Sequence, residues 1–294
     1  MASESTIGID TLLDVLRLEP VADGRFRADN AQLTGGSVVF GGQLLAQSIV
    51  AAATVDPTKE VKSIHTVFSR GASLDSPLDI TLDVMATGRA FASTAVTVSQ
   101  TDAKGRDRVC TRSLVLLNAA DPDLIRHQDD APGVGTPEDA SSGGHGPEFW
   151  EVRTVGGVDI SDPAAVGPAE LQVWTRFDGA PKDQTLNRAL LAFATDGFLI
   201  GTAMRPHEGI GQSMAHVSIS TTVVTHTLTF HEDVDAGAWL LLDHESPYAG
   251  RGRSYGRANV FAPDGGLVAS FVQENMIRDF PDGQAPAAGQ RSAH

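Results

Sequence analysis

GGQLLAQSIVAAAT (41–54) and TLNRALLAFATDGFLIGTAM (185–204) decide how this chain is read. Both have helical composition and are apolar almost all round, so each must be covered on most sides and not on one stripe alone. A strand-like segment precedes each: GRFRAD (24–29) before the first and LQVWTRFDG (171–179) before the second. Four β-branched runs follow the first helix, SIHTVFSR, LDITLDVMATG, FASTAVTVSQT and RVCTRSLVLL, the last two joined by DAKG. Four more follow the second, VSISTTVVTHTLTFH, AWLLLDHES, RSYGRANVFA and GLVASFVQENMIR, the last two joined by PDG. Such closely joined pairs are hairpin signals. One strand, one buried helix and four strands therefore occur twice.

Identities at a near-constant offset support a duplication. His65-Thr66 recurs as His226-Thr227 after 161 residues, while Gly88-Arg89 recurs as Gly250-Arg251, and Asp102 as Asp264, after 162. The expected organisation is a first repeat over 1–118 that includes a leading amphipathic helix (5–18), a Pro-, Gly- and Asp-rich linker over 119–170, a second repeat over 171–281, and a disordered tail over 282–294. A buried helix against an antiparallel sheet is an α+β arrangement, and each copy alone would leave a long open edge. The two sheets are thus expected to pair edge to edge.

Composition narrows the function. A net charge of −15 excludes a nucleic-acid partner, because that binding rests on a basic face. Any anionic ligand has to meet a local arginine cluster; Arg251, Arg253 and Arg257, alternating along AGRGRSYGRAN, are one candidate, with a solvated basic edge as the other reading. One cysteine, Cys110, excludes a disulfide framework. The N-terminus carries no basic-then-apolar leader, and no stretch is long enough to cross a bilayer. A soluble, cytoplasmic protein without membrane insertion is expected. There is no Gly-x-Ser-x-Gly elbow and no zinc-ligand spacing.

Asp196 breaks the apolar run LLAFATDGFL. A carboxylate buried there needs partners or shifts its pKa, whereas the first helix contains no acid at all. Gln273 likewise breaks the apolar strand FVQEN, and its amide can donate and accept at once, which suits holding a water. Glu274, its neighbour, alternates to the opposite face.

VVFGGQLLAQSIVAA, SIHTVFSRGAS, LAFATDGFLIGTAM, HTLTFHE and LVASFVQENMIR, in this order, resemble the bacterial acyl-CoA thioesterase II family, from about residue 10 to 281. The resemblance implies a double hotdog fold and a hydrolase that cleaves acyl-CoA to a free acid and coenzyme A with an activated water, requiring no cofactor and no metal. It gives Asp196 and Gln273 the water site. Family members add a Thr or Ser hydroxyl on the strand before the HxxxFH pattern, and aligning His226 and His231 places Val223 there. The hydroxyl is then expected from Thr225, with Thr221, Thr222, Thr195 and a site lacking it as alternatives. Gly41, Gly42 and Gln43, at a helix N-terminus, are expected to hold the acyl carbonyl, and Arg253 and Arg257 to meet the nucleotide end of coenzyme A. His65, His226 and His231 are read as structural. One competent site per chain follows, with the first half forming a wall of it. Relatives of this kind often assemble further, so a homo-oligomer is expected. A hotdog enoyl-CoA hydratase and an acyl-CoA binding protein with a decayed site are the rival functions.

Overall fold

The computed structural model describes residues 8–34, 36–102, 104–142 and 147–280. The tail expected to be disordered lies outside them, as does part of SSGGHG. The described residues build one antiparallel sheet of thirteen strands with the two long apolar helices packed on one face. In chain order the elements are α1 (Ile9–Val15), β1 (Glu19–Ala22), β2 (Arg25–Ala28), α2 (Gly41–Ala53), β3 (Glu60–Phe68), β4 (Leu78–Thr87), β5 (Phe91–Thr101) and β6 (Asp107–Asn118). After these come β7 (Ser141–Ser142), β8 (Trp150–Thr154), β9 (Glu170–Phe177), α3 (Gln184–Thr195), α4 (Leu199–Met204), β10 (Ile219–Phe230), β11 (Leu240–Gly250), β12 (Arg253–Phe261) and β13 (Leu267–Asp279). No helix among the described residues is long and apolar enough to cross a membrane.

Sheet order makes the duplication visible. It runs β1-β2-β4-β5-β6-β3-β10-β13-β12-β11-β9-β8-β7, near-palindromic about the β3–β10 seam. Across that seam Ser63 to Val67 pair antiparallel with Thr229 to Thr225. Each repeat thereby covers the other's open edge, as the need to bury edges demands. The shared His-Thr dipeptide does not mark equivalent positions, however. His65 is exposed and His226 fully buried, so the two lie on opposite faces of the sheet.

Three expectations change. First, 119–170 is not all linker: β8 pairs with β9 from Trp150↔Phe177 to Thr154↔Val173 and extends the second repeat's sheet. Second, the helix read over 185–204 is two helices, because Asp196 caps the end of α3 and the chain turns at Gly197 and Phe198 before α4. Third, β10 carries a bulge at Val224, since Val223 pairs with Asn275 but Thr225 with Glu274. That one extra residue changes which side chains of β10 face the helices.

Candidate active site

α3 begins on a side-chain cap, Asp183 Oδ1 accepting the Leu186 N–H at 2.9 Å. By contrast α2 begins at Phe40 with no side-chain cap. A helix start leaves N–H groups without partners and carries partial positive charge. Here the Asp196 carboxylate, at the far end of α3, lies against that start, and the Gly42 N–H favours its charged form. The two helices approach closely enough for this because of two glycines. A Cβ on Gly42 would collide with the Phe193 carbonyl, and one on Gly41 would fall 2.6 Å from Asp196 Oδ2 and 3.1 Å from the Phe68 ring. The first repeat thus forms one wall around the acid of the second.

Below Asp196 lies the inner face of the sheet. Gln273, only 1% exposed, donates from Nε2 to Asp196 Oδ1 at 3.1 Å and to the Thr195 carbonyl at 3.4 Å. Two acceptors on one side fix the amide's orientation. Its Oε1 is left buried and without a partner. Beside it, His226 pairs with Gln273 across the ladder, and His226 Nε2 lies 2.9 Å from Thr195 Oγ1. The Thr195 hydroxyl donates its single hydrogen to the Ala192 carbonyl at 2.9 Å, so His226 is the donor to it and Nδ1 is bare. Burial pushes His226 down to about 3, keeping the ring neutral.

Electrostatics single out the acid. Asp196 is half-buried by exposure, yet dense surroundings push its carboxyl up from 3.8 to about 7, against the Gly42 N–H and the Gln273 amide, which favour the charged form. Among the described residues neither an arginine nor a lysine pairs with it. A carboxyl poised there exchanges protons readily at neutral pH.

The structure brings Asp196, Gln273, Gly41 and Gly42 together and leaves other expected residues apart. Thr225 faces the opposite side of the sheet, where its hydroxyl reaches Glu274 Oε2 at 3.4 Å, because the bulge at Val224 reverses the alternation. Val223 does occupy the inner face, opposite Asn275. Thr222 pairs with Met276 on the outer-facing register, and Thr221 is buried on the inner side at the Ile277 rung. The hydroxyl beside Asp196 is that of Thr195. Gln43 is fully buried and turns into the first repeat, towards the Ala31 N–H. Arg253 and Arg257 are exposed on the outer face, Arg253 on the Gly252 carbonyl and Arg257 on Glu245. Arg257 borders a trough of about 750 Å³ there with Asp129, Glu170, Asp243 and Glu245, an acidic setting that disfavours phosphates.

Sequence reading missed one supporting residue. Trp150, from the supposed linker, stacks on Phe177 (6.1 Å, 3°) and meets Phe193 and Phe198 edge-on at 5.4 and 5.8 Å. A Cβ on Gly197 would lie 3.1 Å from its ring, so Trp150 supports the turn that carries Asp196. The alternation in WEVRT, apolar at Trp150 and Val152, was the available signal.

Comparison with known proteins supplies the family. A family model described as the acyl-CoA thioesterase N-terminal domain matches residues 30–117, and one described as the C-terminal domain matches 128–277. Acyl-CoA thioesterase 2 of Haemophilus influenzae is 28% identical over 92% of this chain and 98% of its own. The crystal structure of an acyl-CoA thioesterase II, TesB2, from Mycobacterium marinum is 27% identical with a TM-score of 0.76, covering 92% of this chain and 99% of that one. A hot dog fold protein of Alicyclobacillus acidocaldarius, 19% identical, superposes with a TM-score of 0.75 over 92% of this chain and 99% of its own, which establishes the fold. With both of its repeats matched in order, this double hotdog chain belongs to the acyl-CoA thioesterase family.

Proposed function

We propose that the protein hydrolyses acyl-CoA thioesters with a water held between Asp196 and Gln273. The observation that carries this is the Gln273 amide, whose donor side is committed to Asp196 while its Oε1 stays buried and unpartnered. A water donating one hydrogen to that oxygen and the other to the Asp196 carboxylate has a lone pair left for a carbonyl carbon. Its oxygen attacks the thioester carbon as Asp196 takes its proton, giving a tetrahedral oxyanion at the N-terminal end of α2 beside Gly41. Collapse breaks the C–S bond, and the departing sulfur takes the proton back from Asp196. The products are the carboxylic acid and the free thiol of coenzyme A, and the residues end as they began.

Thr195 contributes by position. Its hydrogen is spent on Ala192 and one lone pair on His226, so it anchors the end of α3 under Asp196 and donates nothing to the water. The test is thiol release from acyl-CoA by the wild type, Asp196→Asn and Gln273→Ala. Release by the wild type, reduced about 10²-fold or more in Asp196→Asn, supports the reading. Hydration of enoyl-CoA without thiol release would replace it with the hydratase, and binding of acyl-CoA without turnover would make it a binding protein.

A further inference from the structure

The two repeats offer an internal control for every polar residue on the inner face. The β5–β6 ladder opens at Phe91↔Asn118 and the β12–β13 ladder at Arg253↔Met276. At the fourth rung stand Thr94↔Val115 in the first repeat and Gly256↔Gln273 in the second. Gln273 thus occupies the place of an apolar Val115, as a catalytic addition to a unit that folds without it. The second rung shows the same contrast. Ala92↔Leu117, 1% and 0% exposed, is matched by Ser254↔Asn275, 2% and 0% exposed.

Asn275 donates from Nδ2 to Ser254 Oγ at 3.3 Å, and its Oδ1 is buried without any partner. An amide oxygen in that state is costly unless something outside the chain satisfies it. Asn275 lies two residues from Gln273 on the same strand face, about 7 Å along the sheet. Its opposite neighbour on β10 is Val223, which offers no hydrogen. Taking the acyl-CoA reading above as its basis, we propose that Asn275 and Ser254 form a polar subsite accepting a hydrogen bond from an N–H or O–H of the bound thioester, one step along the sheet from the reacting carbon. Two parts of an acyl-CoA carry such a donor close to the carbonyl: the cysteamine amide of the pantetheine arm and a hydroxyl on the acyl chain.

Calorimetric titration in the Asp196→Asn background, where thioesters stay intact, tests this. Asp196→Asn and Asp196→Asn/Asn275→Leu are compared on octanoyl-CoA, 3-hydroxyoctanoyl-CoA, octanoyl-pantetheine and an octanoyl-pantetheine analogue whose cysteamine amide is an ester. Leucine is the first repeat's own residue at this rung, and Asn275→Ala carries the comparison if thermal unfolding shows that Asn275→Leu does not fold. Asn275→Leu is expected to weaken binding about tenfold only for ligands bearing the recognised donor. A loss on octanoyl-pantetheine that vanishes with the ester analogue identifies the pantetheine amide, and a loss confined to the hydroxyacyl ligand identifies the acyl hydroxyl. Equal loss on all four, no loss on any, or no measurable binding of any overturns the subsite. Thiol release by the wild type reports on the hydrolase reading separately, so failure of one is distinguishable from failure of the other.

Discussion

At Asp196 one carboxyl joins three relations: an N–H from α2, an amide from β13, and burial that lifts its pKa to about 7. As the base, Asp196 must be ionised, so kcat/KM is expected to rise with pH through about 7 and level off above it, as a rate profile would show. Stability runs the opposite way. The folded state holds this proton more tightly than the unfolded chain, so the favourable contribution is whole below the unfolded value of 3.8 and is lost as pH climbs through about 7. Asp196→Asn is therefore expected to cut turnover about 10²-fold or more while raising the melting temperature at pH 8, by an amount worth at most about 4 kcal/mol. A lowered melting temperature at pH 8 would contradict the assigned burial. Thr225→Val is expected to leave kcat within about twofold, because its hydroxyl faces Glu274 across the sheet. Asp196 and Gln273 stood out in the sequence because each interrupts an apolar run, and the family resemblance, not the pattern, gave them a water to hold. The fate of Thr225 was not, because period-two alternation is blind to the bulge at Val224 that turns it outward.

Among the elements, α2 and α3 matter most to the site, and the glycines at the start of α2 set their separation. Gly42→Ala would force a methyl group into the Phe193 carbonyl and is expected to cost about 1–3 kcal/mol in chemical denaturation. Trp150→Ala removes the ring stacked on Phe177 and beneath Gly197, for an expected loss of about 3–5 kcal/mol together with a fall in kcat. A true linker residue would show neither effect. The buried helices were readable from composition alone. The break between α3 and α4 was not, since TDGF has only one helix-unfavourable residue, and what stabilises the turn is Trp150 from a strand distant in sequence.

Over the whole molecule, the duplicated order of elements and the need to close an open edge foretold one joined sheet, while the β3–β10 seam and the near-palindromic order came from the structure. The division of labour was harder to see, because the registers that align Val115 with Gln273 come from hairpins whose strands differ in length, β5 having 11 residues and β12 only 9. Since Gly41 and Gly42 of one repeat complete the site of the other, neither half is expected to act alone. The intact chain should unfold in one calorimetric transition, and a first-half fragment should expose β3 and aggregate. Two well-separated transitions would contradict that coupling. Direct attack by a water at Asp196 is tested by a single turnover with enzyme in excess in ¹⁸O-labelled water. Prompt thiol release and a product acid carrying ¹⁸O from that first turnover are expected; an unlabelled product, with ¹⁸O later found in the Asp196 carboxylate, would show a covalent acyl-enzyme instead.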